Sequence, residues 1–373
     1  MAQLQLQQHI ARLKEDYPWI STPLVIGAPM RLIALAELAV EISKAGGIGF
    51  IGAGTDVSDL DKHLTHATSL LSYSPSPSPL PSRANTLPLG IGFINWGAQL
   101  APALDAIRTH RPAAVWFFAA SSPASLAEWA ARSREACAQT RVWVQVGSVA
   151  EARGVLRAGV RPDVLVVQGT DAGGHGLVRG AGVVSLVPEV CDAVAEEVAS
   201  GTTTGGKDGY EGPVIVAAGG IAEKRGAAAA FCLGACGVVL GTRFLAAREA
   251  NIAKGYQEEV LRAGDGGQTT IRTKVYDELR ETVWADTHNA RGVINKSFED
   301  AVGGLDVEEN KRLYAEEVNK GDAGWGVEGR MTTYAGAAVG LVKEVKGAGE
   351  IVEEVREGVK EILGGLKDVK SVL

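Results

Sequence analysis

The sequence predicts an α/β protein that folds as a (β/α)8 barrel, a TIM barrel, with a helical cap inserted after the eighth strand. Eight short apolar runs, most of them ending beside glycine, recur between Pro23 and Phe244. Each run is continuous rather than alternating, as in parallel strands that are buried on both faces. Helical patterns separate the runs, and a repeated strand–helix alternation is typical of a closed barrel.

The eight predicted strands differ in sequence but share this apolar character. In chain order they are Pro23–Met30, Gly46–Gly54, Pro88–Trp96, Ala113–Ala120, Val142–Ser148, Asp163–Thr170, Pro213–Gly220 and Gly237–Phe244. The helical patterns between them are Ala34–Ala45, Gln99–Thr109, Pro123–Gln139, Val149–Ala158, Pro188–Ala199 and Ala222–Leu233. The alternative is a doubly wound sheet, but the glycines of GGIGFIGAG fall within and after a strand, and acidic DVSDLD follows them, so the dinucleotide fingerprint is missing.

The chain changes character after the eighth strand. We predict a barrel over residues 1–247 and a cap over 248–330, because the latter stretch is polar, helical in pattern and free of strand-like runs. A third part, 331–373, is predicted to return to the barrel: Thr332–Val345 starts a helix that completes it, and a charged amphipathic helix follows.

Two loops differ from the others in composition. Ser72–Thr86 is rich in serine and proline and is predicted to be extended, and Ser200–Gly212 is predicted to be a tolerated insertion.

Composition limits the possible partners and compartment. The formal net charge of -7 argues against nucleic acid and against an anionic membrane surface. The four cysteines form no C-x-x-C pair and lie in apolar or alanine-rich runs, which indicates reduced thiols. The first residues have no signal-peptide pattern and no apolar stretch is long enough to cross a bilayer, so we expect a cytoplasmic enzyme with no membrane partner. The oligomeric state stays open.

The ends of the seventh and eighth strands predict a phosphate site. Barrel active sites lie at the carboxyl ends of the strands, and a phosphate often binds between the last two loops. Gly219 and Gly220 in AAGGI would let the backbone approach an anion closely, while Gly241 and Thr242 in LGTRF add donors. Arg243 is a candidate source of positive charge.

The motif QGTDAGGHG, Gln168–Gly176, follows the sixth strand and carries the best candidate for catalysis. A buried structural turn would rarely use so many polar side chains. His175 is the only histidine at a predicted strand end, and the ordinary imidazole pKa of about 6.5 suits proton transfer at neutral pH. Asp171 is the next candidate.

Two other patterns are weaker. Met30 in GAPM offers a soft apolar surface that could pack against a flat ring. His63 and His66 have a spacing that could hold a metal, but no acidic or cysteine partner is evident nearby, so we predict no metal site.

Taken together, GAPM, QGTDAGGHG, AAGGI and LGTRF resemble the nitronate monooxygenase (2-nitropropane dioxygenase) family, in the family's order, over roughly Pro23 to Phe244. The resemblance implies a non-covalently bound FMN, with His175 as the catalytic base or the partner of the nitro group. Two positions depart from the family's pattern: Gly92 stands where asparagine is frequent, and Val239 where glutamine is frequent. The cofactor-binding residues that the resemblance implies are Ala28, Pro29, Met30, Gln168, Gly173, Gly219, Gly220, Leu240, Gly241 and Thr242.

The function that follows from the resemblance is FMN-dependent oxidation of alkyl nitronates or nitroalkanes by O2 to a carbonyl compound and nitrite. A small-molecule substrate and O2 are then the expected partners. Related flavin barrels leave NAD(P)H-dependent reduction of a quinone or an enoyl thioester as the alternative. From another class, a phosphate-binding barrel could carry out isomerase or lyase chemistry without flavin.

Overall fold

The structure is a computed structural model that describes residues 2–72, 80–201 and 210–369. Most of the two predicted loops, residues 73–79 and 202–209, therefore lies outside the described residues. Within the described chain, no helix is both long and apolar enough to span a bilayer.

Eight parallel strands form the barrel and confirm the predicted fold class. Their order in the sheet is β1-β9-β8-β6-β5-β4-β3-β2. The first and last strands of this order meet and close the barrel: Ile26 and Ile48 form a parallel bridge, and Gly27 N donates to Ile48 O at 3.0 Å. The strands are β1 (Leu24–Gly27), β2 (Phe50–Gly54), β3 (Leu87–Ile94), β4 (Pro112–Phe118), β5 (Arg141–Val146), β6 (Val164–Gln168), β8 (Val214–Ala218) and β9 (Gly237–Leu240).

Helices surround the barrel and cover its outer face. In chain order the helices of the barrel are α1 (Ala2–Asp16), α2 (Ala36–Lys44), α3 (Leu60–Ser72), α4 (Leu100–His110), α5 (Pro123–Ala136), α6 (Val149–Arg157), α7 (Val183–Ala199), α8 (Lys224–Cys232) and α9 (Thr242–Leu245). Apolar residues from helices and strands form one continuous outer core. That core is the expected consequence of strands that are apolar on both faces.

The inside of the barrel is a second core built from large aromatic side chains. Trp116, Trp143 and Phe50 are almost fully buried and their ring centroids lie 5.0–5.9 Å apart. Burying a large apolar side chain stabilises a fold by about 1.5–3 kcal/mol. The segment after α1 closes the barrel at the end opposite the carboxyl ends of the strands. Tyr17 is buried there, and its hydroxyl accepts a hydrogen bond from Trp143 Nε1 at 2.6 Å.

The inserted segment is not purely helical, so the prediction of a helical cap without strands was wrong in this respect. It contains β10 (Thr270–Thr273) and β11 (His288–Val293), which join β7 (Gly174–Leu177) in an antiparallel sheet of order β10-β11-β7. The strands were missed because their sequences contain arginine, threonine and asparagine and have no clear apolar period. The helices of the segment are α10 (Lys254–Arg262), α11 (Gly266–Thr269), α12 (Val275–Leu279), α13 (Lys296–Val302) and α14 (Val307–Val318).

The C-terminal part corrects a second prediction. Residues 332–345 do not begin a regular α-helix; they form an irregular stretch with one 3-10 turn at Ala337–Leu341. The charged amphipathic helix exists as α15 (Ala348–Val369), and it is this helix that packs beside α8 and α2 and completes the outer layer. The division into parts at residues 247 and 330 stays a prediction.

Glycine is required where helix α2 approaches β2. A Cβ placed on Gly49 would lie 1.9 Å from the backbone oxygen of Ala39, which cannot move away without displacing the helix. By contrast, a Cβ on Gly154, inside α6, would meet nothing within 4 Å. The two positions therefore form a matched pair for a stability test.

We expect Gly49→Ala to lower the free energy of unfolding by about 2–3 kcal/mol or more, because overpacking forces the backbone apart. The control Gly154→Ala should raise it by up to about 1 kcal/mol, since alanine is the better helix former and has room there. Urea denaturation of both variants measures the difference. Equal stabilities would contradict the close contact between α2 and β2.

Candidate active site

A cavity of about 510 Å³ opens at the carboxyl ends of the barrel strands. Loops from β1, β6, β8 and β9 meet there with the inserted segment, which contributes Arg280, Thr282 and Trp284 to the wall. The predicted site residues that line the cavity are Ala28, Pro29, Met30, Gln168, Gly173, His175, Gly219, Gly220, Gly241 and Thr242. Their individual roles stay predictions.

The GAPM loop packs directly onto glycines of the neighbouring strands. A Cβ on Gly92 would lie 2.2 Å from Pro29 Cβ, and one on Gly52 would lie 2.5 Å from the carbonyl carbon and oxygen of Met30. Gly92 is one of the two departures from the family pattern, and here the absence of a side chain is what lets Pro29 enter the cavity wall. Val239, the other departure, also lines the cavity and offers no polar group.

The turns that follow β8 and β9 line the cavity with Gly219, Gly220, Gly241 and Thr242, and these four residues are called the cradle here. Gly219 and Gly220 have positive φ angles of 94° and 74°, which an L-residue rarely adopts. Thr242 Oγ1 accepts a hydrogen bond from Gly336 N at 2.9 Å, so its O–H is left to donate. The cradle thus presents donors and no acidic side chain to the cavity.

Two residues near this cradle do not take the expected places. Leu240 does not line the cavity: its side chain is fully buried in the outer core, and only its carbonyl participates, by accepting from Ala28 N at 3.0 Å. Arg243 is buried away from the cavity, and its Nη1 donates to Glu344 O at 3.2 Å. It therefore adds no charge to the cavity wall; burial lowers its pKa.

His175 is part of β7 rather than the end of β6. Its Nε2 hydrogen bonds to Asp277 Oδ1 at 2.8 Å, and its side chain is 15% exposed where it lines the cavity. An ionised carboxylate can only accept, so the shared proton lies on Nε2 and Nδ1 is the basic ring nitrogen. Gln168 fixes the start of this motif, because its Nε2 donates to His175 O at 3.1 Å.

Asp277, on α12, was missed by the sequence analysis and is the partner that orients the histidine. Its Oδ1 also accepts from Thr282 Oγ1 at 3.1 Å, and the Tyr334 hydroxyl lies 3.4 Å from the same oxygen. Its Oδ2 is buried without a hydrogen-bond partner. Burial raises the pKa of Tyr334, so its phenol stays neutral at neutral pH. No spacing in the sequence connects Asp277 to His175, which precedes it by 102 positions.

An aromatic cluster covers His175. The indole of Trp284 stacks on the imidazole with ring centroids 3.9 Å apart and an interplanar angle of 10°, and Trp96, Phe118 and His288 surround that indole. Burial, followed by the charge of His175, lowers the pKa of His288. The cluster restricts the imidazole to one orientation and shields it from water.

Two arginines of the small sheet support the loop before His175. Arg272 and Arg291 face each other across β10 and β11. Arg272 Nη1 donates to Ala172 O at 3.2 Å, and Arg291 Nε donates to Thr170 O at 3.3 Å. Asp171, the second catalytic candidate of the sequence analysis, belongs to this supported loop and does not line the cavity.

The charge of the cavity is positive although the whole chain is acidic. Arg31 and Arg280 line it together with His175, while none of its described lining residues is an aspartate or a glutamate. Within the described chain, no three His, Cys, Asp or Glu side chains are grouped as a metal would require. His66 instead lies 3.5 Å from Glu37 on the outer helices. The cavity is therefore suited to anionic ligands.

Comparisons with known proteins identify similar sequences. The sequence model of the nitronate monooxygenase family matches residues 94–358. Nitronate monooxygenase npaC of Metarhizium robertsii is 46% identical over 354 residues, covering 94% of this chain and 95% of the relative. A nitronate monooxygenase of Neurospora crassa is 38% identical, covering 95% and 94%.

Solved structures support the fold. FabK from Thermotoga maritima superposes with a TM-score of 0.71 at 24% identity, covering 96% of this chain and 98% of that one. Nitroalkane oxidase from Streptomyces ansochromogenes superposes with a TM-score of 0.68 at 23% identity, covering 92% and 98%. The family model and the relatives of Metarhizium robertsii and Neurospora crassa show that the chain belongs to the nitronate monooxygenase family.

Proposed function

We propose that this protein is an FMN-dependent enzyme that oxidises alkyl nitronates and nitroalkanes with O2 to a carbonyl compound and nitrite. The observation that carries the proposal is His175, hydrogen-bonded to Asp277, on the wall of a cavity that also contains Arg31, Arg280 and the cradle after β8 and β9. Membership of the family supports the same reaction.

The residues present fit FMN. A monoanionic or dianionic phosphate can bind where Gly219 and Gly220 adopt positive φ and Thr242 offers its hydroxyl proton. Pro29 and Met30 form an apolar wall for a flat ring, and the cavity volume of about 510 Å³ lies in the usual range for small-molecule sites. The doubly wound dinucleotide fingerprint is absent from the sequence, which favours FMN over FAD as the resident cofactor.

When bound, FMN would supply the redox chemistry, which is the transfer of electrons from the substrate to O2. The protein's role begins with the proton. Nδ1 of His175 removes the α-proton of a neutral nitroalkane, and the Asp277 carboxylate stabilises the imidazolium that results. The stacked Trp284 holds the ring in place and excludes water from the base. A nitronate that arrives already deprotonated omits this step.

The overall reaction balances without an added reductant. Two nitronates and one O2 contain the atoms and charge of two carbonyl compounds and two nitrite ions. For each neutral nitroalkane, one further proton is released to solvent through His175.

A cytoplasmic location is part of the proposal and is supported by four cysteines that are all free.

Cofactor retention tests the phosphate cradle. Gly220→Asp should abolish it, because the carboxylate repels the phosphate, the positive φ of 74° is unfavourable, and its Cβ would meet Asp171 Cβ at 3.0 Å. Chromatography of the cofactor released by heat measures it, with Gly154→Ala as the control. Full FMN occupancy in Gly220→Asp, or FAD in the unmodified protein, would show that the cradle is assigned wrongly.

The histidine is tested with two substrates. His175→Asn should retain the fold and the bound flavin, but should lose roughly 10²–10⁴-fold in kcat/KM on a neutral nitroalkane, the usual contribution of a general base. It should lose much less on the pre-formed nitronate, which needs no base. Nitrite release is the assay. Equal losses on both substrates would mean that His175 orients the substrate instead of taking its proton.

The role of the Asp277 carboxylate is tested by a separate substitution. Asp277→Asn should lower kcat on the nitroalkane by roughly 10²–10⁴-fold, since an amide can donate to the imidazole and so favour the wrong tautomer. Retention of activity on the nitronate should match that of His175→Asn. Glu278→Gln, on the exposed side of the same helix, is the matched control. An Asp277→Asn variant that matches this control on the nitroalkane would disprove the pair.

A further inference from the structure

Arg280 is a cation that the proposed proton transfer does not use. It follows α12 directly, its side chain is exposed, and it lines the cavity. Its guanidinium carbon lies 5.5 Å from the centroid of the Tyr334 ring. Among the described residues, no carboxylate forms an ion pair with it, and its side chain hydrogen-bonds to Tyr334. Other arginines of the inserted segment are instead bonded to an acidic or a backbone oxygen.

The position of Arg280 places it beside the catalytic pair. The Tyr334 ring is in contact with both groups, since its centroid is 5.5 Å from that of His175. The Tyr334 hydroxyl lies 3.4 Å from Asp277 Oδ1, so Tyr334 connects the guanidinium to the histidine–aspartate pair, and the side chains of His175, Tyr334 and Arg280 all line the cavity. An anion held by Arg280 would lie close to the base.

The chemistry of the guanidinium selects the anion. Its parallel N–H donors match a planar group with two oxygens, and it stays charged at any physiological pH. A nitronate is such a group, because its negative charge is shared by two oxygens on one nitrogen. The phosphate cradle is built from other elements, the ends of β8 and β9.

We propose that Arg280 binds the two oxygens of the substrate's nitronate or nitro group and so forms a specific oxyanion subsite beside His175. The proposal rests on the proposed function for the identity of the substrate, but the subsite itself is defined by oxyanion chemistry. Binding there stabilises the negative charge that develops as His175 takes the α-proton, and it fixes which end of the substrate faces the histidine. Arg280 is thus the group that recognises the nitro oxygens, and His175 is left to act as the base.

The test uses the flavin-loaded enzyme and compares Arg280→Ala and Arg280→Lys with a matched control, Lys274→Gln. Lys274 carries a positive charge on the same segment, but it does not line the cavity and it pairs with exposed Asp286. Three quantities are measured: kcat and KM for the nitronate of nitroethane, the inhibition constant of nitrate as a planar oxyanion, and the flavin content.

We expect Arg280→Ala to raise both the KM for the nitronate and the inhibition constant of nitrate by roughly 10–100-fold, in line with the loss of a hydrogen bond to a charged group. Flavin content should not change. Arg280→Lys should show a smaller rise, because it keeps the charge but not the paired donors. Millimolar guanidinium chloride should partly restore Arg280→Ala, whereas sodium chloride of equal ionic strength should not.

Several results would overturn the subsite. Nitrate inhibition in Arg280→Ala equal to that of the unmodified enzyme would show that the anion binds elsewhere. Loss of flavin in Arg280→Ala would assign the arginine to the cofactor. An equal weakening in Arg31→Gln, at another part of the cavity wall, would show a diffuse field instead of a specific site. If the unmodified enzyme does not oxidise nitronate, the proposed function fails, but nitrate binding, followed by flavin absorbance, still decides whether the subsite exists.

Discussion

The hydrogen bond between His175 Nε2 and Asp277 Oδ1 is the interaction on which the organisation of the site depends. It joins two parts of the chain that fold as different elements: the short strand β7 after the sixth barrel strand, and helix α12 of the inserted segment. Because Asp277 accepts a hydrogen bond from Nε2, Nδ1 is the ring nitrogen that is left to accept a proton in the proposed reaction. The stacked Trp284 then restricts the ring, so that proton transfer depends on the inserted segment as much as on the barrel.

The barrel contributes the part of the cavity wall in which glycine backbone, without a side chain, faces the space where a ligand would bind. Gly52 and Gly92 leave room for the GAPM loop at the cavity wall. Gly219 and Gly220 line the cavity with backbone in a positive-φ conformation. Because no described lining residue is acidic, Arg31 and Arg280 give the cavity wall a positive charge within a chain of net charge -7. An anionic cofactor and an anionic substrate are both favoured by this arrangement.

The sequence predicted the barrel and most of the cavity wall because both depend on local patterns. Continuous apolar runs mark buried parallel strands, and the loops after them are adjacent by topology, so His175, Gly220 and Thr242 could be placed together. Asp277, Trp284 and Arg280 could not, because their position depends on the antiparallel pairing of β7 with β11, two strands whose polar sequences have no clear period. Leu240 stays a predicted cofactor-binding residue, but its side chain lies in the outer core and its carbonyl bonds to Ala28 N, which a motif alone does not reveal.

The most direct test of the account is anaerobic mixing of the flavin-loaded enzyme with a nitronate and, separately, with NADH or NADPH. The account predicts that the nitronate bleaches the oxidised flavin absorbance within the turnover time and that the nicotinamides do not. On admission of O2, the absorbance should return and nitrite should form. Fast bleaching by NADH or NADPH with no response to the nitronate would contradict the account and would assign the cavity to a reductase.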